Sequence, residues 1–345
     1  MVVVDESNGR GASWAAAGLL APVTEAHFGE EELLKLNLRS AELYPSFVEA
    51  LQEDGGIDPG FRKCGTLVVA RDRDDAEVLD DLSAFQQRLG LEVTRLRSKE
   101  CRELEPGLIP SVRGGILVDG DHQIDNRALL DGLRSACVAK GVKLRHDRVQ
   151  SITKVGESSV CTTVAGDRMT AGVVVIAAGH GSTSIEGVAE VAPPVRPIKG
   201  QLLHLSGPQV LAAHNVRGLD VYIVPRSDGR VVVGATMEER GTDDTPSAEA
   251  AYTLLRDAFE ILPSVLDLRF VEIAVGHRPA TPDNAPAIGE SGIDGLLFAT
   301  GHFRNGVLLA PITAEAVFQH IETGSAPEWM VPFSPMRFLP VHEAV

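Results

Sequence analysis

GHFRNGVLLAP, residues 301–311, is the stretch on which the reading of this chain turns. It follows an apolar run, GLLFAT at 295–300, that reads as a strand, and it leads into an amphipathic helix carried on by ITAEAVFQH at 312–320. A chain that turns from strand to helix through Gly301, Asn305 and Gly306 presents unpaired backbone N–H groups and the positive end of a helix dipole. Arg304 stands in the middle of that turn. The combination suits a carboxylate or the anionic edge of a ring. A plain strand-to-helix connection is the alternative, and three other segments weigh against it.

MVVVD, residues 1–5, reads as a short buried strand ending in a carboxylate, Asp5. That is where a dinucleotide-binding fold sets an acid against a ribose hydroxyl pair. The Ala/Gly-rich run behind it, GRGASWAAAGLLAP at 9–22, allows backbone to approach a flat ligand closely. Gly9 and Gly11 do not make a phosphate-binding fingerprint, because Trp14 takes the place of its last glycine. VVVIAAG at 173–179 reads as a buried parallel-type strand that ends in small residues. GHRPATPD at 276–283 sets Arg278 in a loop fixed by prolines.

Between these segments the periodicity predicts helices at 30–53, 74–89, 127–140 and from Pro246 to about Leu262, with Ile124-Asp125-Asn126 capping the third. Strands are expected at 65–70, 143–149, 160–164 and 269–275. RPIKGQLLHL at 196–205, VYIVP at 221–225 and RVVVG at 230–234 suggest an antiparallel sheet set apart from the parallel one. The acidic stretch 238–244 reads as a solvated loop.

A chain of 345 residues can bury a large core and build two domains from interleaved segments. Its 48 acidic against 32 basic residues give a net charge of −16, which argues against nucleic acid or an anionic membrane surface as a partner. No apolar run approaches the ~20 residues of a membrane span. Cys64, Cys101, Cys137 and Cys161 form no CxxC pair, so reduced thiols in a cytoplasm are expected. The ten histidines show no metal-ligand spacing, and GHGSTS at 179–184 lacks the nucleophile-elbow pattern of a hydrolase.

The strings GASWAAAGLLAPVTEA, IDNRALL, VVIAAG, RPIKGQ, YIVPR, GHRPATPD and GHFRNGVLLAP occur in that order. Together they resemble the FAD-dependent amino-acid oxidases of the D-amino-acid-oxidase type, the glycine oxidases in particular, over essentially the whole chain. The resemblance implies an α/β fold. A Rossmann-like parallel-sheet FAD domain would come from residues 1–54, 118–194 and 276–345. An inserted substrate domain with an antiparallel sheet would come from 55–117 and 195–275. The family's opening strand–GxGxxG–helix unit has no match in residues 1–345, which leaves the activity of the chain as written in question. The reading frame before Met1 is expected to supply that unit.

The resemblance also carries roles onto residues. Tyr222, Arg278 and Arg304 would hold a substrate carboxylate. Asp5, with Glu6 beside it, would bind the ribose of FAD, and the backbone of Val149 would read the adenine. Ala12, Ser13, Ala17, Gly18, Leu19 and Gly179 would line the flavin side. His302, Phe303, Arg304, Asn305, Gly306, Val307 and Leu308 would run along the ring's pyrimidine edge, while Arg226 would be a surface or structural ion pair. The implied activity is oxidation of glycine, a small amine or a D-amino acid to an imine, with molecular oxygen reduced to peroxide. The imine would feed thiazole formation in thiamine biosynthesis, and the enzyme would be a homo-oligomer. A D-amino-acid or sarcosine oxidase or dehydrogenase, and a non-catalytic remnant without FAD, stay open as alternatives.

Overall fold

The structure is a computed structural model that describes residues 1–339. From the amino end, β1 (Val2–Val4) leads through α1 (Ala12–Ala15) and β2 (Leu19–Leu20) into α2 (Glu31–Gly55), which Gly56 closes in the left-handed conformation at φ +67°. β3 (Thr66–Ala70), α3 (Arg73–Arg88), β4 (Thr94–Arg97), α4 (Ser98–Leu104), β5 (Gly114–Val118) and β6 (His122–Gln123) follow. The Asp125 carboxylate then accepts from the N–H groups of Arg127 and Ala128 and so starts α5 (Asn126–Ala139). Next come β7 (Lys143–Arg145), β8 (Val149–Val155), β9 (Ser158–Thr163), β10 (Arg168–Ala171) and β11 (Val174–Ile176). The second half runs β12 (Arg196–Ser206), β13 (Asn215–Arg217), β14 (Tyr222–Pro225), β15 (Arg230–Gly234), α6 (Ala248–Phe259), β16 (Arg269–Ala280), β17 (Ala287–Glu290), β18 (Leu296–Thr300) and α7 (Ala310–Thr323).

One eight-stranded sheet dominates, in the order β16-β12-β15-β14-β13-β3-β5-β4, and it is antiparallel except where β13 meets β3. Its inward residues Leu67, Leu203, Val216, Ile223, Val231 and Val233 pack with Leu254, Ala258, Ile261 and Leu262 of α6 and the turn after it. Leu254 and Ala258, four residues apart, are the stripe that seats α6 on the sheet. The expected parallel sheet is present in two parts. β1 pairs in parallel with β7, and β11 pairs in parallel with β18, to which β17 is antiparallel. Helix α2 covers this side. Tyr44, Val48 and Leu51 meet Leu129 and Ala136 of α5, and Leu33 and Leu36 meet Leu309, Ile312 and Ala316 around α7.

Five expectations change at the level of elements. The amino-terminal strand is an edge and not buried: Val2 and Val3 are 44% and 40% exposed, because β1 has a partner on one side only. The strand expected at 173–179 is three residues long, and Val173 and Val175 are likewise exposed. Arg278 lies within β16, opposite Ile198, and not in a loop. Helix α7 begins at Ala310, so the segment between β18 and the helix is a longer turn, with a 3₁₀ stretch at Phe303–Asn305. The run at 143–149 also divides into the end of one parallel pair and the start of a separate antiparallel meander.

Candidate active site

Two glycines make the floor of the site. Gly200 on β12 and Gly234 on β15 carry no side chain where the sheet would otherwise present one. A Cβ on Gly200 would lie 2.3 Å from Arg278 Nη1, and one on Gly234 would lie 2.7 Å from the Tyr222 ring. Tyr222 is the cross-strand partner of Gly234, and Arg278 projects from the neighbouring edge strand. The sheet thus lays a guanidinium and a phenol side by side on bare backbone. Arg278 Nη1 donates to the Thr236 carbonyl at 3.0 Å, and the guanidinium also faces the Tyr222 phenol within hydrogen-bonding reach. Burial pushes the Tyr222 phenol above its ordinary pKa, and the facing charges of Arg278 and Arg217 pull partly against that shift.

Arg304 is placed beside this corner and held differently. Its Nη2 donates to Glu30 Oε2 at 3.0 Å, and its Nε stands 3.5 Å from Glu25 Oε2. Glu25 in turn binds Arg217 Nη1 at 2.6 Å. Burial alone would raise the Glu25 carboxyl, but the Arg217 and Arg304 guanidiniums overcome it and hold the group below its ordinary range. Burial, then Arg304, lowers the imidazole of His27. The loop bearing Glu25 is fixed from below by buried Asp121, which accepts from the N–H groups of Val23 and Thr24 at 3.0 and 2.7 Å. Glu25 and Glu30 meet Arg304, and Arg217 meets Glu25, across separations that no periodicity records; of the three only Glu25 lies in a string that carries the resemblance.

The segment after β18 closes against both sheets. His302 bridges to Ala280 at the end of β16, and its Nε2 lies 2.9 Å from Thr313 Oγ1. Burial pulls its pKa down to about 4. Phe303 takes a positive φ of 45°, a strained conformation for a residue with a side chain, and packs on Ile198 and Ala280. Asn305 is buried and its carbonyl accepts from Leu309 N–H. The Val307 and Leu308 carbonyls accept from Tyr44 and Ser40 of α2, and Gly306 is exposed. Gly179, at φ +56°, lies at the end of β11, where Thr300 Oγ1 donates to its carbonyl at 2.9 Å.

Of the amino-terminal candidates, Ala12 lies against Gly276 of β16, and Ser13 is exposed while its carbonyl accepts from Asn126. The Ala17 carbonyl accepts from Arg226 Nη2 at 2.7 Å, and the Gly18 carbonyl accepts from Ile124 N–H. A Cβ on Gly18 would strike the Ile124 carbonyl at 2.0 Å. Leu19 opens β2 opposite Gln123. Arg226 is not at the surface. It is 5% exposed and also binds Gln123 Oε1 at 2.7 Å, and burial brings it down to about 10. Asp5 spends its carboxylate on the turn behind β1, accepting from Ser7 N–H at 2.9 Å and Gly9 N–H at 2.5 Å. Glu6 lies 3.6 Å from Arg148 and lines a cleft of about 160 Å³ with His146, Asp147, Arg148 and Val164, beside Val149.

These residues fit a flavin on its ring and ribose sides. Among the described residues, Arg304 Nε is buried with no hydrogen-bond partner. Gly18 lets the Ile124 carbonyl pass where a Cβ would stand, and Gly200 and Gly234 give their space to Arg278 and Tyr222. Asp5 ends a parallel strand where a dinucleotide fold sets its ribose ligand, but here Ser7 and Gly9 engage its carboxylate. Among the described residues, the turn after β1 keeps Trp14 where a third glycine would let a pyrophosphate approach.

The sequence pattern of one family, described as DAO: FAD dependent oxidoreductase, matches residues 1–320. The chain is 33% identical to the bifunctional protein ThiO/ThiG of Synechocystis sp. over 98% of its own length and 50% of that protein. It spans about half the length of the first curated relatives it matches. It is 32% identical to a glycine oxidase of Geobacillus kaustophilus over 96% of this chain and 88% of the other. The crystal structure of the glycine oxidase from that organism superposes with a TM-score of 0.91 at 30% identity, covering 98% of this chain and 92% of that one. An iminodiacetate oxidase from Chelativorans sp. gives a TM-score of 0.86 at 27% identity, over 97% and 92%.

Proposed function

Because the chain belongs to the DAO family of FAD-dependent oxidoreductases, we propose that it oxidises glycine or another small amino acid, with Arg278 and Tyr222 holding the carboxylate. The observation that carries this reading is the Arg278–Tyr222 corner laid over Gly200 and Gly234. A guanidinium beside a phenol, both half-buried, can bind a carboxylate with two oriented contacts. Arg304, tied to Glu25 and Glu30, sets the charge at the mouth of that corner.

FAD supplies the two-electron oxidation: the amine gives up two electrons and two protons to become an imine, and oxygen takes them to form peroxide. The chain's own residues bind and orient. Asp5 and Glu6 serve the ribose side, and Val149 serves the adenine. Ala12, Ser13, Ala17, Gly18, Leu19 and Gly179 keep the ring side narrow. The turn His302–Phe303–Arg304–Asn305–Gly306–Val307–Leu308 faces the pyrimidine edge. Tyr222 stays protonated at neutral pH and donates to the substrate carboxylate. Water then hydrolyses the released imine to an oxo acid and ammonia.

We assign residues 1–54, 118–194 and 276–345 to the FAD-binding part and 55–117 and 195–275 to the substrate part. Residues 340–345 lie outside the described ones. The eight-stranded sheet supports the division by drawing its strands from Thr66–Val118 and Arg196–Ala280. A cytoplasmic, homo-oligomeric enzyme that delivers its imine to thiazole formation completes the proposal. Four free cysteines and the likeness to ThiO/ThiG support it, and no described helix is long and apolar enough to cross a membrane. The test is to incubate the flavin-loaded protein with a panel of glycine, sarcosine and D-alanine and to measure peroxide and the matching oxo acid. Glycine turned over with equal yields of both is expected. No product from any of the three would refute the assignment.

A further inference from the structure

Lys199 is the only buried lysine among the described residues, with 2% of its side chain exposed, and the proposed chemistry makes no use of it. Its ammonium reaches Asp243 Oδ2 at 2.7 Å and the Thr245 carbonyl at 2.6 Å. Both belong to the acidic segment 237–246, which is exposed at every residue except Glu238. Lys199 pairs across the strands with His277, whose Nε2 lies 3.0 Å from the Asp243 carbonyl, so two cross-strand neighbours grip one residue of the segment. At its near end the segment is stitched to the same strand: Lys199 and Glu238 exchange backbone hydrogen bonds at 2.9 Å, and Gln201 Nε2 donates to Glu238 Oε1 at 2.7 Å. Thr236, at the root of the stitch, is the residue whose carbonyl accepts from Arg278.

We propose that Lys199 is a positioning residue for Arg278, acting through the segment from Thr236 to Thr245 that it clasps; the proposal rests on the reading of Arg278 as the carboxylate contact. Apart from the clasp, the one hydrogen bond or ion pair among the described residues that ties 239–246 to the rest of the protein is the exposed Arg196–Glu239 pair at 3.4 Å, a weak tether. With the clasp open, the stretch beyond Glu238 is released, and Thr236 keeps only its bonds to Gln201 and Glu238 to hold its carbonyl against Arg278 Nη1. The guanidinium then gains a second resting position over Gly200. A merely structural buried ion pair would be replaceable by apolar packing without touching substrate affinity.

Lys199→Met, which keeps the length of the stem and removes the charge, tests this in the flavin-loaded full chain, with Asp243→Asn as the second variant. Trypsin reports the clasp by cleavage after exposed Arg240, expected about tenfold faster in either variant and no faster in the double variant. Acetate, read by the flavin spectrum, reports the carboxylate contact alone: its dissociation constant should rise about tenfold in Lys199→Met. The KM for glycine should rise in step with kcat changed less than about twofold, and an amine without a carboxylate should keep its KM. Unchanged cleavage rates overturn the clasp. Faster cleavage with unchanged acetate binding, or equal damage to both substrates, overturns the positioning role. If acetate binding weakens while even the parent protein leaves glycine untouched, the inference stands and the glycine reading falls.

Discussion

At Gly200, the space that a side chain would fill is taken by the Arg278 guanidinium. Gly200→Ala must therefore push Arg278 off the floor, since a Cβ contact of 2.3 Å cannot be relieved by the strand backbone beneath it. The expected outcome is a KM for glycine raised about tenfold or more, with the thermal midpoint nearly unchanged. A fall in the midpoint with an unchanged KM would place the strain elsewhere. Glu25 is the reverse case, a single carboxylate between two guanidiniums. Glu25→Gln leaves Arg217 and Arg304 facing each other with their shared counter-charge gone. A loss of about 3 kcal/mol is expected from denaturant unfolding. A variant as stable as its parent would show that solvent already screens the pair.

The 302–309 turn shows what an element adds to its residues. His302 is an ordinary imidazole placed by the turn against β16 and Thr313, where burial lowers its pKa to about 4. Its folded value lies below the unfolded one near 6.5, so the unfolded chain binds the extra proton between those limits. Stability from this group is present above about pH 6.5 and drains away as pH falls toward 4, by about 2 kcal/mol between pH 7 and pH 5. His302→Asn should lose correspondingly less over that interval, which melting curves at the two pH values would measure. Equal acid losses in both proteins would rule the linkage out.

The same scale explains what could be read beforehand. Strong local signals carried through: the Asp125 cap opens α5, and the apolar runs around Leu203, Ile223 and Val233 form strands. The segment 276–283 misled because two prolines suggest a turn. Pro279 instead sits on an edge strand opposite Pro197, where neither missing N–H is asked for. The acidic stretch 238–244 reads as solvated by composition, and most of it is, yet Asp243 is pinned by a lysine 44 residues away. Arg226 reads as a surface or structural ion pair, and its place is interior and structural, since only the tertiary fold brings Ala17 and Gln123 to it.

On the scale of the whole molecule, the proposed reading draws the substrate corner from the antiparallel sheet and the cofactor side from the helix-covered pair of parallel patches. The two meet where β16 ends against His302 and where Arg226 reaches the Ala17 carbonyl. The central claim is that this junction presents Arg278 to a substrate carboxylate. It is tested most directly by steady-state oxygen consumption of the flavin-loaded parent and Arg278→Ala proteins, with glycine and with an amine that has no carboxylate. Loss of a charge-assisted contact of about 1.5–3 kcal/mol predicts a KM for glycine about ten- to a hundredfold higher, with the control amine nearly indifferent. Equal loss on both substrates would contradict the claim and leave Arg278 a structural or cofactor-binding residue.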